Sequence, residues 1–202
     1  MQLFLIVSNK SKNTFLVGGC VRDMLLGKEP KDYDIVTDAE IKDLTGSLER
    51  NGWEVKGVGD HFLVYVVSKH GQMFEIANFR KESGFSDGRR PDHVEVGTLE
   101  EDAVRRDFTV NSIYYNPLTG EFVDPNGGKK DLRDRLLRFI GKPHDRIKED
   151  YLRVFRFFRF LAKLEFEPDK RSLKACREMW REAYENTTPE RARMEIERMS
   201  GI

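Results

Sequence analysis

The pattern of apolar and polar residues predicts a strand, a tight turn, a helix and a second strand near the start of the chain. Phe15 to Val17 are apolar, and the pair Gly18-Gly19 breaks this run. Apolar residues then recur at helical spacing from Val21 to Leu26, and Gly27 can end the helix. Tyr33 to Val36 resume as a strand. The two ends of this short unit can therefore meet one ligand.

Further along, the pattern alternates between helix and strand. Glu40 to Asn51 predicts a helix, and the apolar runs Phe62 to Val67 and Gln72 to Asn78 predict a hairpin around the turn His70-Gly71. Ser83 to Pro91 is rich in Gly, Ser, Asp and Arg, which is typical of a surface loop.

The last third of the chain is predicted to be helical throughout. Helical spacing extends from Arg146 to Leu164 and from Lys170 to Glu185, and a third helix begins at Thr188-Pro189-Glu190. We therefore expect an α+β fold, with a mixed α/β domain at residues 1–140 and a helical domain at residues 141–202.

Composition limits the classes of function. Lys and Arg together number 35, as do Asp and Glu, so there is no global positive field to hold nucleic acid, and any RNA contact must be local. No apolar run is long enough to span a bilayer, and the opening Leu3 to Val7 indicates a strand or helix start rather than a signal peptide. The two cysteines, Cys20 and Cys176, form no zinc motif and fit a reducing cytosol, so we expect a cytoplasmic protein without a membrane partner.

The early unit carries the residue types that bind a nucleotide and a metal. Backbone N–H groups at Gly18 and Gly19, together with the positive end of the helix dipole, favour a phosphate, and Arg22 adds a fork of donors. Asp32 and Asp34 are two apart, so in a strand their carboxylates would point to the same side and could share Mg²⁺. A single Asp-x-Asp is more often a solvated turn, and the combination is what makes the motif specific.

This combination, Gly18 to Thr37, resembles the signature of the class II tRNA nucleotidyltransferases and their bacterial poly(A) polymerase relatives, in the polymerase-β-like superfamily. The resemblance implies a nucleotidyltransferase head, with a mixed sheet flanked by helices, followed by a helical neck. The string Arg105 to Asn111 matches the second motif of the family, where Arg106 and Asp107 would meet the sugar and phosphates of the nucleotide. Taken alone, that string could equally be a salt-linked helix end.

Polar residues recur at every third position of the predicted helix Glu149 to Phe160, and they form one ridge. These residues are Asp150, Arg153, Arg156 and Arg159. Taken alone, such a ridge is usually a solvated face. By resemblance, Asp150 would accept and Arg153 would donate hydrogen bonds to cytosine or adenine, while Arg156 and Arg159 would hold the triphosphate. Guanine and uracil present the reverse order of donor and acceptor.

Three further features refine the prediction. Glu75, an acid among apolar residues, is our hypothesis for a third carboxylate that would position or deprotonate the attacking hydroxyl. By resemblance to the family, the absence of proline after Glu149-Asp150 leans toward the CCA-adding pattern, and the loop Gly88 to Pro91, which is shortened in relatives that add only C, favours an enzyme that also adds A.

The predicted function is template-independent addition of C and/or A to the 3′ end of tRNA, from CTP and ATP, with two Mg²⁺ ions and no DNA substrate. The alternatives are a poly(A) polymerase or A-adding enzyme on the same fold and, from another class, an inactive module that binds RNA or nucleotide. The family usually continues into a body and tail that grip the tRNA, whereas this sequence stops at Ile202. We therefore expect either a fragment or a compact protein that depends on a second chain.

Overall fold

The computed structural model describes residues 1–57 and 63–200. Its helices are α1 Gln2–Ser8, α2 Gly19–Leu25, α3 Ile41–Arg50, α4 Leu99–Arg105, α5 Gly128–Arg133, α6 Pro143–Glu149, α7 Leu152–Leu164, α8 Lys170–Glu178, α9 Trp180–Asn186 and α10 Pro189–Ser200, with a 3₁₀ turn at Thr109–Asn111. Its strands are β1 Thr14–Val17, β2 Asp34–Thr37, β3 Glu54–Gly57, β4 Val64–Lys69, β5 Gln72–Asn78, β6 Arg80–Ser83, β7 His93–Val96, β8 Tyr114–Asn116, β9 Glu121–Val123, β10 Leu136–Leu137 and β11 Glu167–Pro168.

One mixed sheet dominates the described strands, in the order β3-β4-β5-β2-β1-β8-β9. Strands β2 and β5 are parallel, and the other neighbours in this sheet are antiparallel. Two short sheets pair β6 with β7 and β10 with β11. The predicted α+β class, a mixed sheet flanked by helices, is therefore confirmed.

The predicted local elements of the first half are largely confirmed. The strand, turn, helix and strand of the first motif are β1, α2 and β2, and Gly27, with φ of 70°, ends the helix. The predicted hairpin is β4 and β5, joined at His70-Gly71, where both residues have positive φ as a tight hairpin turn requires. Phe62, the first residue of the strand predicted there, lies outside the described residues.

The chain divides into two compact units, and the division is not linear in sequence. The first unit contains Met1–Lys81, Val94–Ala103 and Asn111–Pro125, and the second contains Glu82–His93, Val104–Val110 and the chain from Asn126 onward. The functional division into residues 1–140 and 141–202 stays a prediction.

Each unit has its own apolar core. In the first, Phe15, Val17 and Val36 from the central strands pack with Phe79 and Tyr114. In the second, four rings meet at centroid distances of 4.9–6.0 Å: Phe108, Phe139, Phe157 and Phe160. The phenylalanine inside the Arg105 to Asn111 string is therefore a core residue of the second unit.

The continuous helix predicted from Arg146 to Leu164 is wrong at one point. The chain leaves helical geometry at Asp150, which has φ −151° and ψ 107°, and a new helix begins at Leu152. The Asp150 side chain accepts a hydrogen bond from the Leu152 N–H at 3.1 Å. A short acid that bonds its own backbone competes with helical continuation, which explains the break.

The helix predicted from Lys170 to Glu185 is likewise divided, at Met179. Asp169 caps the first part by accepting a hydrogen bond from the Ser172 N–H at 2.9 Å. No helix in the described part of the chain has both the length and the apolar character needed to cross a membrane.

Candidate active site

The glycine turn lies beside the start of β2. Val17, the last residue of β1, is the register partner of Asp34, and Gly18 follows it with φ 82° and ψ −137°, which side-chain-bearing residues rarely adopt. Helix α2 begins at the next residue, Gly19. The glycine turn and Asp34 are therefore adjacent in the sheet, and their binding of one ligand stays a prediction.

Cys20 fills the space between the turn and β2. Its thiol is buried and donates to the Val17 carbonyl at 3.2 Å. Burial raises the pKa of the Cys20 thiol, and the neighbouring Asp34 carboxylate adds to this effect. Because the thiol stays neutral, Cys20 is a packing residue rather than a nucleophile.

The third carboxylate of the sequence hypothesis lies next to Asp34. Glu75 on β5 is the register partner of Asp34 on the parallel strand β2, and partners on adjacent strands project from the same face of a sheet. Glu75 is exposed and Asp34 is half-buried, so both side chains are accessible to a ligand. The pairing is long-range in sequence, and only the strand order creates it.

Asp32 has a different setting from the one predicted. It is exposed and lies two residues before β2 begins, so the strand periodicity used to align it with Asp34 does not reach it. Among the described residues, no group of three or more His, Cys, Asp or Glu side chains could by itself hold a metal. Mg²⁺ typically takes one or two carboxylates and completes its shell with substrate phosphates and water, and Asp32 with Asp34 fits that type of site.

Arg22 is buried against the glycine turn. Its side chain is 3% exposed, and its Nε and Nη1 donate to Asp23 Oδ1 at 2.8 Å and to Asn111 Oδ1 at 2.7 Å. One guanidinium nitrogen would lie 3.5 Å from a Cβ built on Gly19. Arg22 therefore packs against the glycine turn, and its predicted contact with phosphate stays a prediction.

Asn111 has no predicted role in the sequence, although it ends the string Arg105 to Asn111. It is buried, and it ties that string to Arg22 within the first unit. Because its amide is uncharged, Asn111 does not stand out in a search for charged site residues. Only its position in the motif could have indicated a role.

In the second unit, Asp107 and Arg156 bind each other. Nε and Nη2 of Arg156 both donate to Asp107 Oδ2, at 3.0 and 2.5 Å. The carboxylate predicted to meet ribose and an arginine predicted to hold phosphate are thus neighbours, across 49 residues of sequence. This closeness fits two groups that contact adjacent parts of one nucleotide.

Arg159 is paired with Glu195, which the sequence does not single out. Its Nε donates to Glu195 Oε2, and its guanidinium carbon lies 4.1 Å from the centroid of the Phe160 ring. Glu195 is 3% exposed and Arg159 7%. Arg159 is therefore held by a buried carboxylate of the protein itself, and its predicted contact with the triphosphate stays a prediction.

Asp150 is held at the junction of α6 and α7. Nη2 of Arg191, on α10, donates to its two oxygens at 3.1 and 3.3 Å, and the Leu152 N–H donates to Oδ1. A carboxylate offers about four acceptor positions, so contacts with the described residues leave one, on Oδ2. That is enough to accept one amino hydrogen of a base.

Arg153 is more buried than Asp150, the other residue predicted to recognise the base. It is 9% exposed, and Nη1 donates to Glu149 Oε2 and to the Arg146 carbonyl, both at 2.6 Å. Nη2 donates to the Arg105 carbonyl at 3.2 Å. Of its five N–H groups, two remain after these contacts with described residues, which suffices for one base edge.

A second buried arginine supports Arg153. Arg146 Nη2 donates to the carbonyls of Arg105 and Arg106, at 2.5 and 2.9 Å, and Nη1 forms an ion pair with Glu149. Burial, and then the charge of Arg153, lower the pKa of Arg146 to about 10. At neutral pH Arg146 stays charged, and Glu149 forms an ion pair with both arginines.

The loop predicted at Ser83 to Pro91 contacts the same junction. The Tyr151 N–H donates to the Gly88 carbonyl at 3.1 Å, and a Cβ on Gly88 would come 2.6 Å from the Tyr151 ring. Asp87 accepts from the backbone N–H groups of Arg89 and Arg90, which shapes the loop. The residue next to Asp150 is therefore packed against a glycine that has no room for a side chain.

Comparison with known proteins places these features in a family. The family model described as the Poly A polymerase head domain matches residues 14–138. The chain is 40% identical over 189 residues to a CCA-adding enzyme of Limosilactobacillus reuteri, covering 92% of this chain and 45% of the relative. It is 38% identical over 177 residues to poly(A) polymerase I of Haemophilus influenzae, covering 82% of this chain and 38% of the relative.

Solved structures agree in fold. The CCA-adding enzyme of Bacillus stearothermophilus in complex with CTP matches with a TM-score of 0.83 and 30% identity, over 98% of this chain and 47% of that one. The CCA-adding enzyme of Thermotoga maritima in complex with tRNA matches with a TM-score of 0.81 and 26% identity, over 98% of this chain and 46% of that one.

The chain thus spans less than half the length of these relatives. The family match covers β1, α2, β2 and the Arg105 to Asn111 string, which are the elements that the sequence assigned to nucleotide binding. By its sequence and its fold, the chain belongs to the poly(A) polymerase head-domain family, alongside CCA-adding enzymes.

Proposed function

We propose that this chain carries the nucleotidyltransferase centre and the base-selecting helices of an enzyme that adds C and A to the 3′ end of tRNA. The substrates would be CTP and ATP, and no nucleic-acid template would be required. The similarity to a CCA-adding enzyme over 92% of the chain supports this substrate class. The cytoplasmic location predicted from the sequence stays part of the proposal.

In the first unit, the residues would handle the reacting groups. The 3′-hydroxyl of the RNA would attack the α-phosphate and expel pyrophosphate. Asp32 and Asp34 would hold two Mg²⁺ ions, which would neutralise phosphate charge and lower the pKa of the hydroxyl. Backbone N–H groups at Gly18 and Gly19 would bind phosphate oxygens, with Arg22 behind the turn. Glu75, beside Asp34, would accept or orient the proton of the hydroxyl.

In the second unit, the residues would choose the base. Cytosine and adenine each offer an amino donor beside a ring-nitrogen acceptor, which suits the remaining acceptor position of Asp150 and the remaining N–H groups of Arg153. Uracil and guanine would place like groups together, and a bidentate readout discriminates by about 1–3 kcal/mol. Arg106, Asp107, Arg156 and Arg159 would serve the sugar and phosphates.

The position of Asp34 between two strands is the observation that best supports the proposal. Its register partners are Val17, which precedes the glycine turn, and Glu75, which supplies a second carboxylate. An anion-binding turn and two acidic side chains at one sheet position are what metal-assisted phosphoryl transfer requires.

Primer extension tests the proposal directly. We expect a tRNA that lacks its 3′ CCA to gain C from CTP, and then A when ATP is also present, with no incorporation of GTP or UTP. Asp32→Ala and Asp34→Ala should abolish extension. A chain that binds RNA equally well before and after both substitutions, and that extends nothing, would instead be an inactive binding module.

A poly(A) polymerase or A-adding enzyme is the second candidate. The similarity to poly(A) polymerase I of Haemophilus influenzae favours it. CTP supplied alone decides between the two, because incorporation of C excludes an enzyme that adds only A. A second chain that supplies further RNA contacts is part of the proposal, and addition of such a chain should lower the KM for tRNA.

A further inference from the structure

A cavity of about 510 Å³ opens in the second unit between the segment after β10, the start of α6 and the start of α8. Its walls carry four arginine and lysine side chains, Arg138, Lys142, Arg171 and Lys174, together with His144. None of its lining residues is among those assigned to the nucleotide. Because the whole chain has no net charge, this is a local concentration of positive charge.

One of these cations, Arg138, is paired with a buried carboxylate. Arg138 Nε lies 3.1 Å from Oδ2 of Asp131, a buried carboxylate that also accepts from Thr109 Oγ1 at 2.7 Å. The Arg138 side chain remains 44% exposed. A buried partner with an exposed arginine gives a preorganised donor, which loses little freedom when it binds an anion.

The acidic residues at the cavity do not cancel this charge. Asp169 is committed to capping α8, since it accepts from the N–H and the hydroxyl of Ser172 at 2.9 and 3.0 Å. Asp145 is exposed in the first turn of α6. Among the residues that the structure describes, neither Lys142 nor Arg171 forms an ion pair, while Lys174 lies 3.8 Å from Glu178.

We propose that this cavity binds the phosphate backbone of the RNA substrate, a contact that rests on the proposed function. Nucleic-acid strands present one charge per roughly 3.4 Å along the axis, so a concave surface with several cations at its edges can contact more than one phosphate. Arginine matches phosphate geometry with two parallel hydrogen bonds, and lysine adds an adaptable point charge. An acidic protein segment lacks that regular spacing, and it serves as the competing ligand in the test.

The test compares two charge reversals on the same two helical segments. Lys142→Glu with Arg171→Glu changes the cavity, and Lys148→Glu with Arg177→Glu makes the same change of charge on exposed residues of α6 and α8 that do not line it. Binding of tRNA lacking its 3′ CCA is measured by fluorescence anisotropy between 50 and 200 mM salt. A circular-dichroism melt checks folding of each variant, and Lys142→Ala with Arg171→Ala serves as a milder second pair.

We expect the cavity variant to raise the Kd for tRNA by about tenfold and to reduce the slope of log K against log salt by roughly 1–2. The matched variant should change both values far less. Poly-glutamate should compete poorly with tRNA for the wild-type protein. Equal losses in both variants, no loss in the cavity variant, or strong competition by poly-glutamate would each overturn the proposal.

Catalysis separates this inference from the proposed function. With a dinucleotide primer, which carries only one internucleotide phosphate, the cavity variant should keep the wild-type kcat and the KM for CTP. If the wild-type chain extends tRNA while both variants bind it equally, the function stands and the inference fails. If the wild-type chain extends no primer, the proposed function itself fails.

Discussion

At the scale of single residues, three of the arginines proposed to bind the nucleotide are fixed groups rather than free surface charges. Arg22 is held by Asp23 and Asn111, Arg156 by Asp107, and Arg159 by Glu195. A planar guanidinium that is already oriented loses little freedom when a phosphate or a base arrives. Local pairing therefore prepares these residues for binding.

Glu75 offers the sharpest test at this scale. Glu75→Gln should lower kcat for nucleotide incorporation by about 10²-fold or more, because an amide cannot accept the proton of the attacking hydroxyl, while the KM for CTP should change little. Single-turnover incorporation measures the effect. Glu121→Gln, an exposed acid on β9 of the same sheet, is the control. A Glu75→Gln enzyme with near wild-type rates would remove this residue from the reaction.

Gly88 tests the packing at the α6–α7 junction. Gly88→Ala should destabilise the protein by about 2–3 kcal/mol, because the new Cβ meets the Tyr151 ring in addition to the cost of positive φ. Gly120→Ala, at φ +74° with open space around it, should cost only about 1 kcal/mol. Urea unfolding measures both values. In a Tyr151→Ala background the two glycine substitutions should cost about the same, and a persistent difference would contradict the steric cause.

Cys176 predicts a dependence of stability on alkaline pH. Burial raises the pKa of its thiol from 9.0 to about 12. Above pH 9 the unfolded chain releases this proton while the folded chain keeps it, so stability falls as pH rises, by up to about 1.4 kcal/mol per pH unit from this group. The Cys176→Ala variant has no thiol at this position, so it should not show this fall in stability with pH.

The stability difference between wild type and Cys176→Ala should therefore shrink between pH 9 and 11, and urea unfolding across pH 7–11 measures it. A difference that stays constant with pH would show that the folded thiol titrates normally.

At the scale of elements, α10 supports the part of the chain that is proposed to choose the base. Arg191 and Glu195 are four residues apart on this helix, so they lie on one face. Arg191 contacts Asp150 just before α7, and Glu195 contacts Arg159 in the middle of α7. One face of α10 thus supplies Arg191 as the partner of Asp150 and Glu195 as the partner of Arg159.

Arg191→Met tests this support. We expect loss of discrimination against UTP and a higher KM for CTP, because Asp150 loses the donor that fixes its two oxygens. Competition between CTP and UTP in primer extension measures the change. Arg193→Met removes an exposed arginine from the same helix, one that pairs with Glu197, and it should leave selectivity unchanged. Unaltered base choice in Arg191→Met would assign Arg191 to stability alone.

At the scale of the whole molecule, the metal should serve the reaction and not the fold. Within the described residues no cluster of three or more acidic, histidine or cysteine side chains could hold an ion, and the proposed Mg²⁺ site relies on substrate phosphates. Treatment with EDTA should therefore abolish nucleotide incorporation and leave the thermal midpoint unchanged, and added Mg²⁺ should restore activity. A drop in the melting temperature on chelation would indicate a structural metal.

The sequence by itself determined the local elements and the residue types of the site. The glycine turn, α2, β2 and the β4–β5 hairpin follow from periodicity and turn residues that act over a few neighbours. Arg22, Asp32 and Asp34 could be named from the chemistry of phosphate and metal binding, whereas the roles of Asp107, Asp150 and the later arginines followed from the resemblance to the family. The break at Asp150 was missed, since a side chain that bonds its own backbone overrides an otherwise helical pattern.

Only the tertiary structure decided which groups meet. The pairing of Asp34 with Glu75 depends on β2 and β5 becoming parallel neighbours, and the pairing of Asp150 with Arg191 and of Arg159 with Glu195 depends on α10 packing against α7. The same holds for the basic cavity, whose cations come from segments separated by up to 36 residues. Sequence patterns report local geometry, whereas contacts of this kind form when distant elements bury their apolar faces together, which no short window of sequence contains.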